Sequence, residues 1–151
     1  MPSFQTVHKV GHSSSDMFAL VADVEKYPEF VPLCEKLKVR GRKDLGDGRE
    51  VLVADMTVAY KLFRETFTSR VTLNPGEQRI LVEYLDGPFR HLENEWTFKP
   101  LSEGQCEVGF FITYEFKSRT LSALMSAMFD RAFRKFSDAF EARADVVYGA
   151  G

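Results

Sequence analysis

The sequence predicts a single α+β domain over 1–151, an antiparallel sheet of about seven strands wrapped around one long C-terminal helix, with short helices after the first strand. Three observations predict it. Apolar residues alternate at a period of two through most of 35–117, punctuated by turn signals. From Ser118 to about Tyr148 the period becomes three and four, carried by Leu121, Leu124, Met125, Met128, Phe129, Ala132, Phe133, Phe136 and Phe140, and no Gly or Pro interrupts before Gly149. Sequential strands with short connections make a meander that leaves one face to be covered, and only this helix has enough apolar stripe to cover it.

In chain order, Phe4 to Gly11 alternates loosely and reads as the first strand. Ser13, Ser14 and Ser15 offer helix N-caps with Asp16 in the first turn, and Met17, Phe18, Leu20 and Val21 continue a short helix to about Ala22. The segment DVEKYPEFVPLC at 23–34 has prolines at 28 and 32, which confine helix to short turns. Its Tyr27, Phe30 and Leu33 fold it back onto the body. Leu37 and Val39 then alternate with Lys36, Lys38, Arg40 and Arg42 on a half-exposed strand, and Gly46-Asp47-Gly48 marks a hairpin. Glu50 to Phe63 reads as one long strand with Leu52, Ala54, Met56, Val58, Tyr60 and Leu62 inward. Strands from Glu65 to Leu73, Arg79 to Leu85, Arg90 to Lys99 and Gln105 to Lys117 follow, separated by turns at 74–77, 86–88 and 100–104.

Composition excludes several classes. A net charge of −2 exerts no global pull toward nucleic acid or anionic membranes. Cys34 and Cys106 form no CxxC pair and read as reduced, packed thiols. Met1 to His12 has neither the apolar run nor the basic lead of a secretory signal, and no apolar run approaches the roughly 20 residues that span a bilayer. No GxSxG, Walker A, GxGxxG or HExxH motif is present. His8 and His12 on one strand would stand roughly 13 Å apart, too far to share a metal. His91, Glu93 and Glu95 alternate with Leu92, Asn94 and Trp96 and therefore point outward. Catalytic residues and a metal are not expected.

Three stretches carry a family resemblance: VADVEKYPEFVPLCEKLKV at 21–39, GPFRHLENEWTF at 87–98 and EVGFFITYEFKS at 107–118. Together they resemble the coenzyme Q-binding protein family, START-like proteins of the helix-grip fold related to polyketide cyclases, whose bacterial relatives include ribosome-association toxins. The resemblance covers essentially the whole chain. It implies non-enzymatic binding of ubiquinone or a similar prenyl lipid in an internal cavity, in support of respiratory electron transfer, with no covalent cofactor. The alternatives it leaves are a factor bound to the large ribosomal subunit and a cyclase-type enzyme with an aromatic pocket. A mature eukaryotic member would start from a precursor with a transit peptide, so a bacterial, cytoplasmic protein is expected, in peripheral contact with the inner face of the membrane.

Periodicity alone favours a solid core, whereas the helix-grip resemblance reverses that and implies a hollow one. The residues expected to line it are Met56, Val58, Tyr60, Phe67, Val82, Tyr84, Leu92, Trp96, Phe110, Ile112 and Tyr114 from the sheet and Leu124, Met125, Met128 and Phe129 from the helix. Fourteen Phe supply large apolar area without polar handles, and methionines make an adaptable wall. Ser69 and Asn94 are polar positions on inward faces. Asn94 is either a donor to a quinone carbonyl or bonded to backbone or water. Tyr27, Pro28, Phe30, Val31 and Pro32 form either a lid at the cavity mouth or a simple cap on the core. Lys36, Lys38, Arg40 and Arg42 form a cationic stripe that blocks edge pairing, attracts anionic headgroups or contacts RNA phosphates.

Overall fold

The alternating stretches become six strands that each pair antiparallel with the next: β2 (Cys34–Asp44), β3 (Glu50–Tyr60), β4 (Phe63–Asn74), β5 (Arg79–Asp86), β6 (Phe89–Ser102) and β7 (Gln105–Phe116). The first strand, β1 (Ser3–Val10), joins β7 at the far edge, so the sheet order is β1-β7-β6-β5-β4-β3-β2. The computed structural model describes residues 3–149; the leader expectation at Met1 and Pro2 lies outside the described residues. Between β1 and β2 run α1 (Ser14–Ala22) and a 3-10 helix (Val24–Glu29), and the chain closes with α2 (Arg119–Tyr148).

Local chemistry sets the helix ends. Ser13 caps α1 by accepting from the Asp16 amide at 3.1 Å, and Ser118 caps α2 by accepting from the Leu121 amide at 3.2 Å. Gly149, at a φ of 87°, ends α2 by donating its amide to the Asp145 carbonyl. The inward face of the sheet and the α2 stripe share one core in which Leu52, Ile80, Cys106, Phe110 and Phe140 are fully buried. The outward face keeps its charges in cross-strand pairs, Arg70 with Glu83 at 3.0 Å and Arg79 with Glu95 at 2.6 Å. His91, Glu93 and Glu95 belong to that outer face, since Leu92, Asn94 and Trp96 turn inward.

Three expectations change. The β3–β4 hairpin turns at Lys61–Leu62, with Tyr60 paired to Phe63, earlier than the expected strand end. No Gly or Asn marks this turn; Lys61 itself takes the positive φ of 54°. Leu62 is therefore fully solvent-exposed instead of inward, and Tyr60 is exposed beside it with Lys61 Nζ over its ring. The basic strand does not present one stripe. A bulge between Val39 and Gly41 shifts its register, so Arg42 pairs with inward-facing Leu52. Arg42 then reaches Glu25 on the 3-10 helix at 2.9 Å and Glu50 at 3.1 Å, while Arg40 bonds Asp55 on the outer face at 2.7 Å. His12 lies beyond the end of β1, and the two histidines serve as clasps: His8 bonds Glu141 at 3.0 Å and His12 bonds Asp145 at 2.7 Å, tying the first strand region to α2.

Gly87 bends the β5–β6 connection at a φ of 143°, and a Cβ there would stand 2.6 Å from the Phe67 Cβ. Gly87→Ala is expected to cost about 1–3 kcal/mol through strain and overpacking, read as a lower urea midpoint with an unchanged slope.

Candidate functional site

Between the inward face of the sheet and α2 lies a void of about 120 Å³. Its origin is visible in the side chains. Ala54 on β3 and Ser69 on β4 are cross-strand partners, and both are small where their neighbours Leu52, Met56, Phe67 and Val71 are large. Ala132 on α2 also lines the space. The helix cannot sink to fill the gap, because Phe140 meets Trp96 at 4.9 Å and Phe136 meets Phe110 at 5.7 Å between ring centroids. One end is closed by a packed aromatic group in which Phe89, Phe116 and Phe129 stack and Tyr114 packs edge-on.

The 23–34 segment covers the void: Val24, Tyr27, Val31, Pro32 and Leu33 form part of its wall. Tyr27 and Phe30 both pack edge-on against Phe140, at 5.4 and 5.0 Å. The Tyr27 hydroxyl donates to the Val21 carbonyl, and burial raises its pKa far above the ordinary phenol value. Arg143 on α2 bonds Glu29 at 2.6 Å with its guanidinium over the Phe30 ring. Leu33 turns the chain into β2 at a φ of 68°, and its carbonyl accepts from the Ala59 amide.

Of the residues expected at the cavity, Tyr27, Met56, Val58, Phe67, Val82, Leu92, Asn94, Trp96, Phe110, Ile112 and Phe129 line it. Seven others lie elsewhere. Tyr60 is at the exposed hairpin, and Leu124 is 71% exposed on the outer side of α2. Met125 and Tyr114 are buried in the solid end, with Met128 packed at its margin. Tyr84 accepts from the Phe89 amide at the β5–β6 turn, and Phe30 sits behind Tyr27, against Phe140. Phe133, Phe136 and Phe140, which continue the Phe129 stripe and lie outside the expected set, also line the cavity; the hollow faces the middle and C-terminal half of α2, not its first turns. Asn94 already donates to the Phe111 carbonyl at 2.8 Å. Ser69 Oγ is buried with no hydrogen-bond partner.

Among the described residues the wall contains no Asp, Glu, His, Lys, Arg or Cys, and its ionisable side chain is Tyr27. His8, Asp138 and Glu141 place ligand atoms within 4.8 Å of one another, but at the β1–α2 seam, apart from the cavity wall. Cys34 and Cys106 are free and buried. Among the described residues no helix is long and apolar enough to cross a membrane.

A sheet gripping one long helix around an apolar hollow is the START-like helix-grip architecture. The chain belongs to the family described as polyketide cyclase/dehydrase and lipid transport, whose model matches residues 10–141. It is 35% identical over 140 residues to the ribosome association toxin RatA of Vibrio cholerae, covering 93% of each chain. It is 34% identical over 144 residues to the mitochondrial coenzyme Q-binding protein COQ10 homolog B of Xenopus laevis, covering 93% of this chain and 57% of that one. The Zhui aromatase/cyclase of Streptomyces sp. R1128 superposes with a TM-score of 0.81 over 99% of both chains at 18% identity, a likeness of fold alone.

Phe140→Ala removes the ring on which Tyr27, Phe30 and Trp96 converge. The expected cost is about 3–5 kcal/mol, with faster amide exchange concentrated in 24–33; uniform acceleration across the sheet would contradict this role for the ring. Burial raises both thiols from an ordinary 9.0 to about 11. A raised pKa means the fold favours the protonated form, so this contribution is complete below pH 9.0 and is lost as pH climbs to about 11. Denaturation midpoints should fall over that window, and less steeply in Cys106→Ala.

Proposed function

We propose that the protein binds a prenyl lipid of the ubiquinone class in this cavity, without transforming it, and carries it in support of respiratory electron transfer. The observation that carries the reading is an apolar void whose wall holds no carboxylate, imidazole or amine. Such a wall gains about 0.8 kcal/mol for each CH₂ it takes out of water but supplies no proton donor or acceptor of ordinary pKa for a cyclisation. The coenzyme Q-binding relatives support the ligand class. Loading at a bilayer surface fits the exposed Tyr60–Leu62 hairpin tip with its adjacent Lys61.

A second reading, association with the large ribosomal subunit, is supported by relatives named as ribosome association toxins that align over nearly their whole length. Lys36 and Lys38 would serve it best, since Arg40 and Arg42 are engaged by Asp55, Glu25 and Glu50.

Organic extraction of the purified protein followed by mass spectrometry is expected to return a prenylquinone in stoichiometric amount. Empty protein that co-sediments with large ribosomal subunits in a salt-sensitive manner would favour the second reading instead. Ala54→Leu fills the void from the sheet side and is expected to lower quinone affinity at least tenfold, by titration calorimetry, in a folded protein.

A further inference from the structure

The polar groups around the cavity are not equally available. The Tyr27 hydroxyl donates its one proton to the Val21 carbonyl, and Asn94 donates an amide N–H to the Phe111 carbonyl, which fixes its orientation. Ser69 differs: it is 5% exposed, lines the cavity, and its Oγ has no partner. A buried hydroxyl left without a hydrogen bond destabilises the protein that holds it, so such a group in a native fold calls for an explanation.

Trapped water explains it poorly. A buried water needs two to four polar partners, whereas the cross-strand partners of Ser69 are Ala54 and Tyr84, the Tyr84 hydroxyl being bonded to the Phe89 amide, and the side chains diagonal to it or beside it are Met56, Phe67, Val71 and Val82. A ligand oxygen needs only the one donor. Space for it exists because the β3 partner of Ser69 is Ala54, whose methyl leaves the hydroxyl uncovered on that side.

Volume adds a second constraint. At about 120 Å³ the void is close to the engineered apolar cavity of about 150 Å³ that holds one benzene ring. It suits a single six-membered ring or one prenyl unit of similar size, not an extended run of prenyl units.

We propose that Ser69 is the polar anchor of the site, donating a hydrogen bond to a carbonyl oxygen on the head group of a prenyl lipid. The ligand then enters head first, its ring between β3, β4 and α2, with the tail directed out of the cavity. This inference rests on the prenyl-lipid reading above and adds the contact and the orientation.

The test compares wild-type protein and Ser69→Ala by titration calorimetry with two probes, a ubiquinone carrying one or two prenyl units and an oxygen-free prenyl hydrocarbon of similar length. Loss of one neutral hydrogen bond predicts about a fivefold weaker Kd for the quinone and an unchanged Kd for the hydrocarbon. The ligand-free variant should melt no lower than wild type, because it loses an unsatisfied group and not a made bond. Trp96, the single Trp of the chain and part of the cavity wall, reports orientation: a quinone ring inside quenches its emission. Equal quinone affinity in both proteins, or equal weakening toward both probes, would overturn the anchor. Binding without quenching would overturn head-first entry. Wild-type protein that binds neither probe would instead remove the prenyl-lipid reading itself.

Discussion

How closely α2 can approach the sheet is the constraint on which the rest of the molecule depends. Its ring stripe meets Phe110 and Trp96 before its backbone can descend, and the neighbouring part of the sheet holds the small pair Ala54 and Ser69. The gap is thus set by large residues that meet across the two layers at β6 and β7, and by small ones, Ala54 and Ser69 on the sheet and Ala132 on the helix, beside them. A void of about 120 Å³ costs on the order of 3 kcal/mol at roughly 24 cal/mol per Å³. An apolar occupant removes that penalty, so the empty protein is biased toward being filled.

The cover over the hollow is held from three directions. Phe140 supplies a ring surface, Arg143 an ion pair with Glu29, and Arg42 a second ion pair through Glu25. The two ion pairs are exposed and worth little individually; the aromatic contacts dominate. Arg42 reaches the cover only because the bulge in β2 turns it inward, so a residue that reads as part of a basic stripe acts as a strut.

The layer order was legible from period alone, because strands and helix impose repeats of two and 3.6 on any sequence that buries one face. Inward positions in strand centres, such as Met56, Val82, Leu92 and Ile112, were equally legible. The ends were not. Tyr60 alternates correctly but is the last residue before a turn whose positive φ is taken by a lysine, which leaves no signal. Along α2 the stripe gives the buried face without saying which turns meet the cavity. That depends on where the strands cross it, so Leu124 and Met125 were expected where Phe133 and Phe140 stand. The bulge in β2 falls at Gly41, an isolated strand glycine that marks a bulge without giving its register, and the split of Lys38 from Arg42 came from the pairing.

The sheet places its first strand against its last, with Ser3 opposite Thr113. Every other pairing is between neighbours in the chain and closes a short loop, whereas this one closes nearly the whole polypeptide and carries the largest loop-closure entropy. During synthesis the hairpins from β2 to β7 have partners as soon as they emerge, but β1 must wait until its docking edge exists. The amino-terminal segment is therefore the last strand to find its place, and until then β7 carries a bare edge, the state in which a nascent chain of this design is most exposed to self-association.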